Sequence, residues 1–218
     1  MITITEENYL KAIYNLNLDR DGKELGTNEL ANHLGISPAT VSSMLKKLKE
    51  KEFINYEKYG GISLLKKGEK EAFSVIRKHR LWETFLVEKM EFTWDEIHEV
   101  AEQLEHIKSK KLVDQLDKLL GYPDYDPHGD PIPKANGAIN GMHKNTLSQE
   151  SAGKSLRVVG VKNDSSAFLQ HITQLGLVIN SKVIIKSHHE FDGSFDVEID
   201  GKPHMITRQV AENVYVTS

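Results

Sequence analysis

Residues 27–50 read TNELANHLGISPATVSSMLKKLKE, and this stretch decides how the first third of the chain folds. Leu30, Ala31 and Leu34 recur at helical spacing, Thr27 is a candidate cap with Glu29 in the first turn, and Gly35 stops the helix. Ser37-Pro38 then opens another helix, because serine caps and proline at the first helical position lacks an amide hydrogen that would have no partner anyway. Val41, Met44, Leu45 and Leu48 form its apolar stripe. Two short helices across a glycine turn predict a helix-turn-helix.

Upstream, TEENYLKAIYNL (5–16) places Tyr9, Leu10, Ile13, Tyr14 and Leu16 on one face of a helix that Thr5 can cap. Downstream, FINYEKYGGISLLKKG (53–68) holds two short apolar runs around Gly60-Gly61, the pattern of a hairpin, which after a helix-turn-helix is a wing. Two long helices are predicted over 68 to about 90 and 94 to about 120, with Leu112, Leu116, Leu119 and Leu120 continuing the pattern in a shorter helix that ends at Gly121. Pro123, Pro127, Pro131 and Pro133, then a Gly/Asn-rich run, mark residues 122–153 as a linker. Beyond it, LRVVGV (156–161), KVIIKS (182–187), FDVEID (195–200), PHMIT (203–207) and NVYVT (213–217) read as strands of a small β-barrel, with a short helix at SSAFLQHITQLG. The fold class is therefore α+β: a winged helix-turn-helix over 1–68, a helical domain over 69–121, the linker, and a β domain over 154–218.

The 218 residues contain no cysteine, which removes disulfides, thiolate metal sites and thiol catalysis together. No apolar run is long enough to span a membrane, and MITITEENYL lacks the basic and apolar regions of a signal peptide, so a cytoplasmic protein is expected. The formal net charge of -4 argues against nucleic acid until its distribution is read. Residues 38–68 hold seven lysines against three glutamates, whereas residues 69–150 hold 11 basic and 16 acidic side chains.

That basic stretch fits double-stranded DNA. Ser37, Ala39, Thr40 and Ser43 occupy the start of the second helix of the helix-turn-helix, where side chains reach base edges, and Lys46, Lys47 and Lys58 are placed for phosphates. With no Arg or Asn in its first two turns, this helix is expected to read bases weakly and to depend on DNA shape. In the acidic middle, His79 and Glu83 are four residues apart, and His98, Glu102, Glu105 and His106 share roughly one helical face. Like charges on one face repel unless a cation binds them. Nitrogen and oxygen ligands favour Mn²⁺ or Fe²⁺, with Zn²⁺ and Co²⁺ binding by affinity alone in vitro.

TEENYLKAIY, SPATVSSMLKKLKEKEFI, RKHRLWETFL, IHEVAEQLEHIKS and DPHGDPIP together resemble the metal-dependent repressors of the diphtheria toxin repressor type, including their manganese-responsive branch, over nearly the whole chain. The resemblance implies a winged helix that binds operator DNA, a helical domain that dimerises and binds activating metal, and a C-terminal SH3-like domain similar to ferrous-transport accessory domains. It implies an activating site from Glu102, Glu105 and His106, completed from the first helix at Asn8, where the manganese branch typically has Asp and the iron branch Met. Lys11 stands where some manganese sensors use Glu. His79, Glu83 and His98 resemble an ancillary site, to which Asp126, His128 and Asp164 match further positions in three-domain relatives.

The reading is thus a homodimeric, metal-activated repressor of metal-uptake genes that senses Mn²⁺ or Fe²⁺. A winged-helix regulator answering a small organic ligand is one alternative. A metallohydrolase is another, but no H-E-x-x-H or comparable catalytic motif is present.

Overall fold

The computed structural model describes residues 2–18, 23–57, 61–141 and 145–218. It forms two compact units, one of residues 1–79, 105–108 and 133–138, the other of 80–104, 109–132 and 139–218.

In the first unit, helix α1 (Ile4–Leu18) leads into α2 (Thr27–Leu34) and α3 (Pro38–Glu50), then strands β1 (Ile54–Tyr56) and β2 (Ile62–Leu64), then the first part of α4 (Lys66–Met90). Gly35 takes φ +66°, the left-handed turn between α2 and α3 that a side chain would strain. Ser37 caps α3 as the sequence predicts, its side chain accepting from Thr40 N at 3.2 Å with Pro38 in the first turn. Two other caps differ. Thr3, not Thr5, caps α1, its hydroxyl accepting from Glu6 N at 3.3 Å while Glu6 accepts from Thr3 N at 3.0 Å. Thr27 begins α2 as a helical residue, and Gly26 is the cap. The wing pairs antiparallel, Ile54 opposite Leu64 and Tyr56 opposite Ile62. Leu10, Ile13, Leu30, Leu45, Leu48 and Ile54 are among its fully buried core.

The second unit contains the rest of α4, then α5 (Ile97–Leu104) and α6 (Lys110–Leu119). The long helix expected over 94 to about 120 is therefore broken. Ser109 caps α6, its hydroxyl accepting from Leu112 N at 3.4 Å, and the chain between carries Glu105 and His106 in a turn. The composition of this break, EHIKSK, is as helix-compatible as its flanks, so periodicity does not reveal it.

Leu81, Val113, Leu116 and Ile132 form a small helical core. A larger one lies under a five-stranded antiparallel sheet of β3 (Ser155–Val161), β4 (Lys182–His188), β5 (Phe195–Ile199), β6 (Lys202–Ile206) and β7 (Val214–Thr217), in the order β6-β5-β4-β3-β7. Register shifts at Val158/Gly160 and Ile185/Ser187 bend it. Helix α7 (Ser166–Gln174) follows β3, and a short α8 (Arg208–Glu212), which the sequence reading lacks, precedes β7.

The expected linker is also corrected at both ends. Ile132 and Leu147 are fully buried, Val216 N donates to Asn145 O at 3.0 Å, and Val161 N donates to His128 O at 2.9 Å. Proline and glycine forbid regular structure without forbidding packing. The β domain thus starts near residue 145, and Asp126–Gly129 is docked on β3, where a side chain on Gly129 (φ +86°) would meet Val159 O at 2.2 Å.

Candidate metal centres and DNA-binding surface

Within the first unit, the turn after α5 presents Glu105 and His106 to α1 and to the first part of α4. His106 Nδ1 lies 2.6 Å from Glu7 Oε2, and its Nε2 lies 3.6 Å from Glu105 Oε1. The other oxygen of Glu105, Oε2, lies 2.6 Å from both Lys11 Nζ and His79 Nδ1. Glu105 has no solvent exposure, and Glu7 and His79 are buried. Burial alone would raise the Glu105 carboxyl, but the His79 hydrogen bond and the Lys11 charge outweigh it and hold the group below the ordinary range.

Glu105 Oε1 is buried with no hydrogen-bond partner, and so is the Oδ1 of Asn8, the residue after Glu7 on α1. Such orphans are uncommon, and hard oxygen donors beside a buried imidazole are what a divalent cation of the Mn²⁺ or Fe²⁺ type takes. The residues fit a metal. Glu7 and His79 were not expected in this cluster: Glu7 reads simply as an acidic first-turn residue, and His79 by spacing belongs with Glu83.

In the second unit, Glu83 on α4 is the hub. Its Oε1 lies 3.6 Å from His98 Nδ1 and its Oε2 lies 3.8 Å from His128 Nδ1, while His98 Nε2 lies 3.6 Å from Glu102 Oε1. Glu83, Asp126 and His128 are all buried and offer ligand atoms within 4.8 Å of one another. Asp126 Oδ1 accepts from His128 N at 2.8 Å and Asp130 N at 3.0 Å, which shapes the loop, while its Oδ2 lies 3.6 Å from Arg80 Nε. His128 Nε2 lies 2.9 Å from Trp94 O.

Burial, then Glu83 and Asp130, push the Asp126 carboxyl up to about 7 against the pull of Arg80. Burial would lower His128, but the facing Glu83 and Asp126 carboxylates raise it to about 10. Asp164, by contrast, is exposed between β3 and α7 and joins no such cluster among the described residues.

On the helix-turn-helix, Ser37, Ala39, Thr40, Ser43, Lys46 and Lys47 are all exposed, so the buried stripe of α3 leaves the predicted face open. Lys58 lies outside the described residues. Neighbouring lysines are partly committed to the fold: Lys49 Nζ donates to Tyr56 O and Lys51 Nζ to Glu6.

Three family models match successive stretches of the chain. Residues 1–62 match the model of the iron-dependent repressor N-terminal DNA-binding domain, residues 65–134 that of the iron-dependent repressor metal-binding and dimerisation domain, and residues 145–218 that of the FeoA domain. The iron-dependent repressor IdeR of Mycobacterium bovis is 33% identical over 129 residues, 59% of this chain and 55% of that protein, so the match spans about half its length. The HTH-type transcriptional regulator MntR of Oceanobacillus iheyensis is 32% identical over 122 residues, 56% of this chain and 81% of that protein. A solved manganese-dependent transcriptional repressor in complex with manganese superposes with a TM-score of 0.86 at 31% identity, covering 98% of this chain and 99% of that one.

Fold and matched domains define a class, the metal-dependent DNA-binding transcriptional regulators. The chain belongs to the iron-dependent repressor family, of the diphtheria toxin repressor type, and is a regulator rather than an enzyme. No helix among the described residues is long and apolar enough to cross a membrane.

Proposed function

We propose that this protein is a cytoplasmic, homodimeric repressor that binds operator DNA when Mn²⁺ or Fe²⁺ is plentiful and shuts off metal-uptake genes. The observation that carries the reading is the buried Glu105 Oε1, which has no hydrogen-bond partner and lies 3.6 Å from Nε2 of the imidazole held by Glu7, with Asn8 Oδ1 on α1 likewise buried and without a hydrogen-bond partner. Asn8, Glu105 and His106, with Glu102 added by the family resemblance, would hold the activating ion. Glu83, Asp126 and His128 would hold an ancillary one, with His98 alongside.

The ion supplies a positive charge that neutralises buried oxygens. The protein's own residues do the rest. Asn8 lies on α1, packed in the DNA-binding head, and Glu105 and His106 lie on the turn after α5, so cross-linking them fixes that turn against the head. A population of head orientations narrows to the one in which both recognition helices of the dimer meet their half-sites. Glu7 accepts from His106 Nδ1–H, which leaves Nε2 with its lone pair for coordination.

The test is a titration of operator binding against each metal by anisotropy. Affinity that rises with stoichiometric Mn²⁺ or Fe²⁺ supports the reading, and binding indifferent to metal refutes it.

A further inference from the structure

Adjacent residues of a helix point about 100° apart, and the first turn of α1 uses this to hold two different elements. Glu7 meets the turn after α5, its Oε2 lying 2.6 Å from His106 Nδ1, and Lys108 of the same turn donates to Ile2 O at 3.3 Å. Glu6 instead meets Lys51, the residue that caps the C-terminal end of α3, whose Nζ donates to Glu6 Oε1 at 2.6 Å. The second oxygen of Glu6 accepts from Thr3 N at 3.0 Å, and Lys51 O accepts from Lys67 Nζ, at the start of α4, at 2.7 Å. Helix α1 otherwise packs on α2 and β2, and α3 on α2 and β1, so the pair is a direct tie between the helix that carries Asn8 and the recognition helix. The Glu6 side chain is only 5% exposed and that of Lys51 43%. Burying a carboxylate costs about as much as pairing it returns, so such a pair adds little stability, and its best use is to fix registry.

We propose that Glu6 and Lys51 are positioning residues that carry the metal-set position of α1 to the recognition helix α3. The inference rests on the metal reading of Asn8, Glu105 and His106, and goes further by naming the contact that transmits it inside the DNA-binding head. Its measure is the metal gain, the ratio of operator affinity with saturating Mn²⁺ to that without metal. A pair that only stabilises the head lowers Tm and leaves this gain unchanged. A lysine that serves DNA phosphates alone lowers both affinities alike and also leaves it unchanged. A transmitting pair loses gain when either member is neutralised, while Mn²⁺ binding to the free protein stays as it was.

Operator affinity is measured by anisotropy on the full-length protein, on Glu6→Gln, Lys51→Met, Lys51→Arg and the Glu6→Gln/Lys51→Met double variant, and on His106→Ala as a ligand control. Calorimetry gives Mn²⁺ affinity without DNA. Glu6→Gln and Lys51→Met are each expected to reduce the metal gain by about tenfold, a size within ordinary coupling between sites, with Mn²⁺ affinity unchanged. The double variant should lose no more than either single one, because both act through one contact, and Lys51→Arg, which keeps the charge, should retain the gain. An unchanged gain in folded Glu6→Gln and Lys51→Met, losses that add in the double variant, or a Lys51→Arg as impaired as Lys51→Met overturns the assignment. Should Glu6→Gln fail to fold, the gain of Lys51→Met against that of Lys51→Arg decides. Full gain in His106→Ala refutes the metal reading whatever the pair does, whereas its loss there beside an unchanged gain in the pair variants overturns the pair alone.

Discussion

The Glu7–His106–Glu105–His79–Lys11 cluster of the first unit and the Glu83–Asp126–His128 cluster of the second both set buried carboxylates against imidazole, yet their charges are balanced in different ways. In the first, each carboxylate has a short contact at 2.6 Å, Glu7 with His106 and Glu105 with Lys11 and His79, and one Glu105 oxygen is left over. In the second, Glu83 and Asp126 face His128 and Arg80 at 3.6–3.8 Å, and the excess charge is carried by protons instead, on Asp126 up to about 7 and on His128 up to about 10. A cluster neutralised by a lysine is set before metal arrives. A cluster neutralised by protons must release them, so its metal affinity is tied to pH.

The largest effect that sharpens this contrast is expected at Glu105 and His106. Glu105→Gln or His106→Ala removes a direct ligand of the activating ion, and operator affinity at saturating Mn²⁺ should fall to the metal-free level with circular dichroism unchanged. Full metal response in both would break the assignment. Glu7→Gln, acting through His106 alone, should weaken Mn²⁺ binding by about 10–100-fold, read by calorimetry, while an excess of metal restores operator binding.

At the other cluster, His128→Ala should remove one bound ion and reduce the rise in Tm that Mn²⁺ produces, yet leave operator recognition at saturating metal intact. Loss of recognition there would show that the two clusters are one functional site.

The pH dependence follows from the same residues. His128 stabilises the metal-free fold fully below the ordinary imidazole value of 6.5 and loses that contribution as pH rises toward about 10. Asp126 loses its own as pH rises from 3.8 to about 7. Metal-free protein should therefore melt lower at about pH 8 than at about pH 6, while the Tm gain from Mn²⁺ grows over that interval. Scanning calorimetry at the two pH values checks both signs, and His128→Ala should flatten the trend.

The smallest effect concerns the exposed lysines of α3. Lys46→Ala and Lys47→Ala should each lower affinity for all DNA sequences alike and reduce the log–log salt slope by roughly one unit, without touching metal binding. An unchanged slope places them off the phosphates.

Much of this was legible along the chain, because local signals act over a few residues. Gly35 at its left-handed turn, Ser37 capping with Pro38 behind it, and the alternating apolar runs of β3 to β7 need no distant partner to be read. Glu105 and His106 also stood out, as ligand types in an acidic helical stretch. Glu7 did not, because a first-turn glutamate is unremarkable until His106, 99 residues away, is brought to 2.6 Å. His79 read as the partner of Glu83 by spacing, whereas the fold also sets it against Glu105. Asp164 matched a family position and is exposed.

The sequence by itself determined the order of winged helix, helical domain and β domain, the absence of thiolate chemistry, and the identity of most candidate ligands. Those follow from hydrophobic period, turn chemistry and composition, which are properties of neighbouring residues. Only the tertiary structure decided where the helix after residue 104 breaks, that residues 145–153 belong to the β domain, and that one Glu105 oxygen is held by Lys11 and His79 while the other has no hydrogen-bond partner. Those are matters of burial and of charge meeting charge across long stretches of chain, which a one-dimensional pattern does not encode.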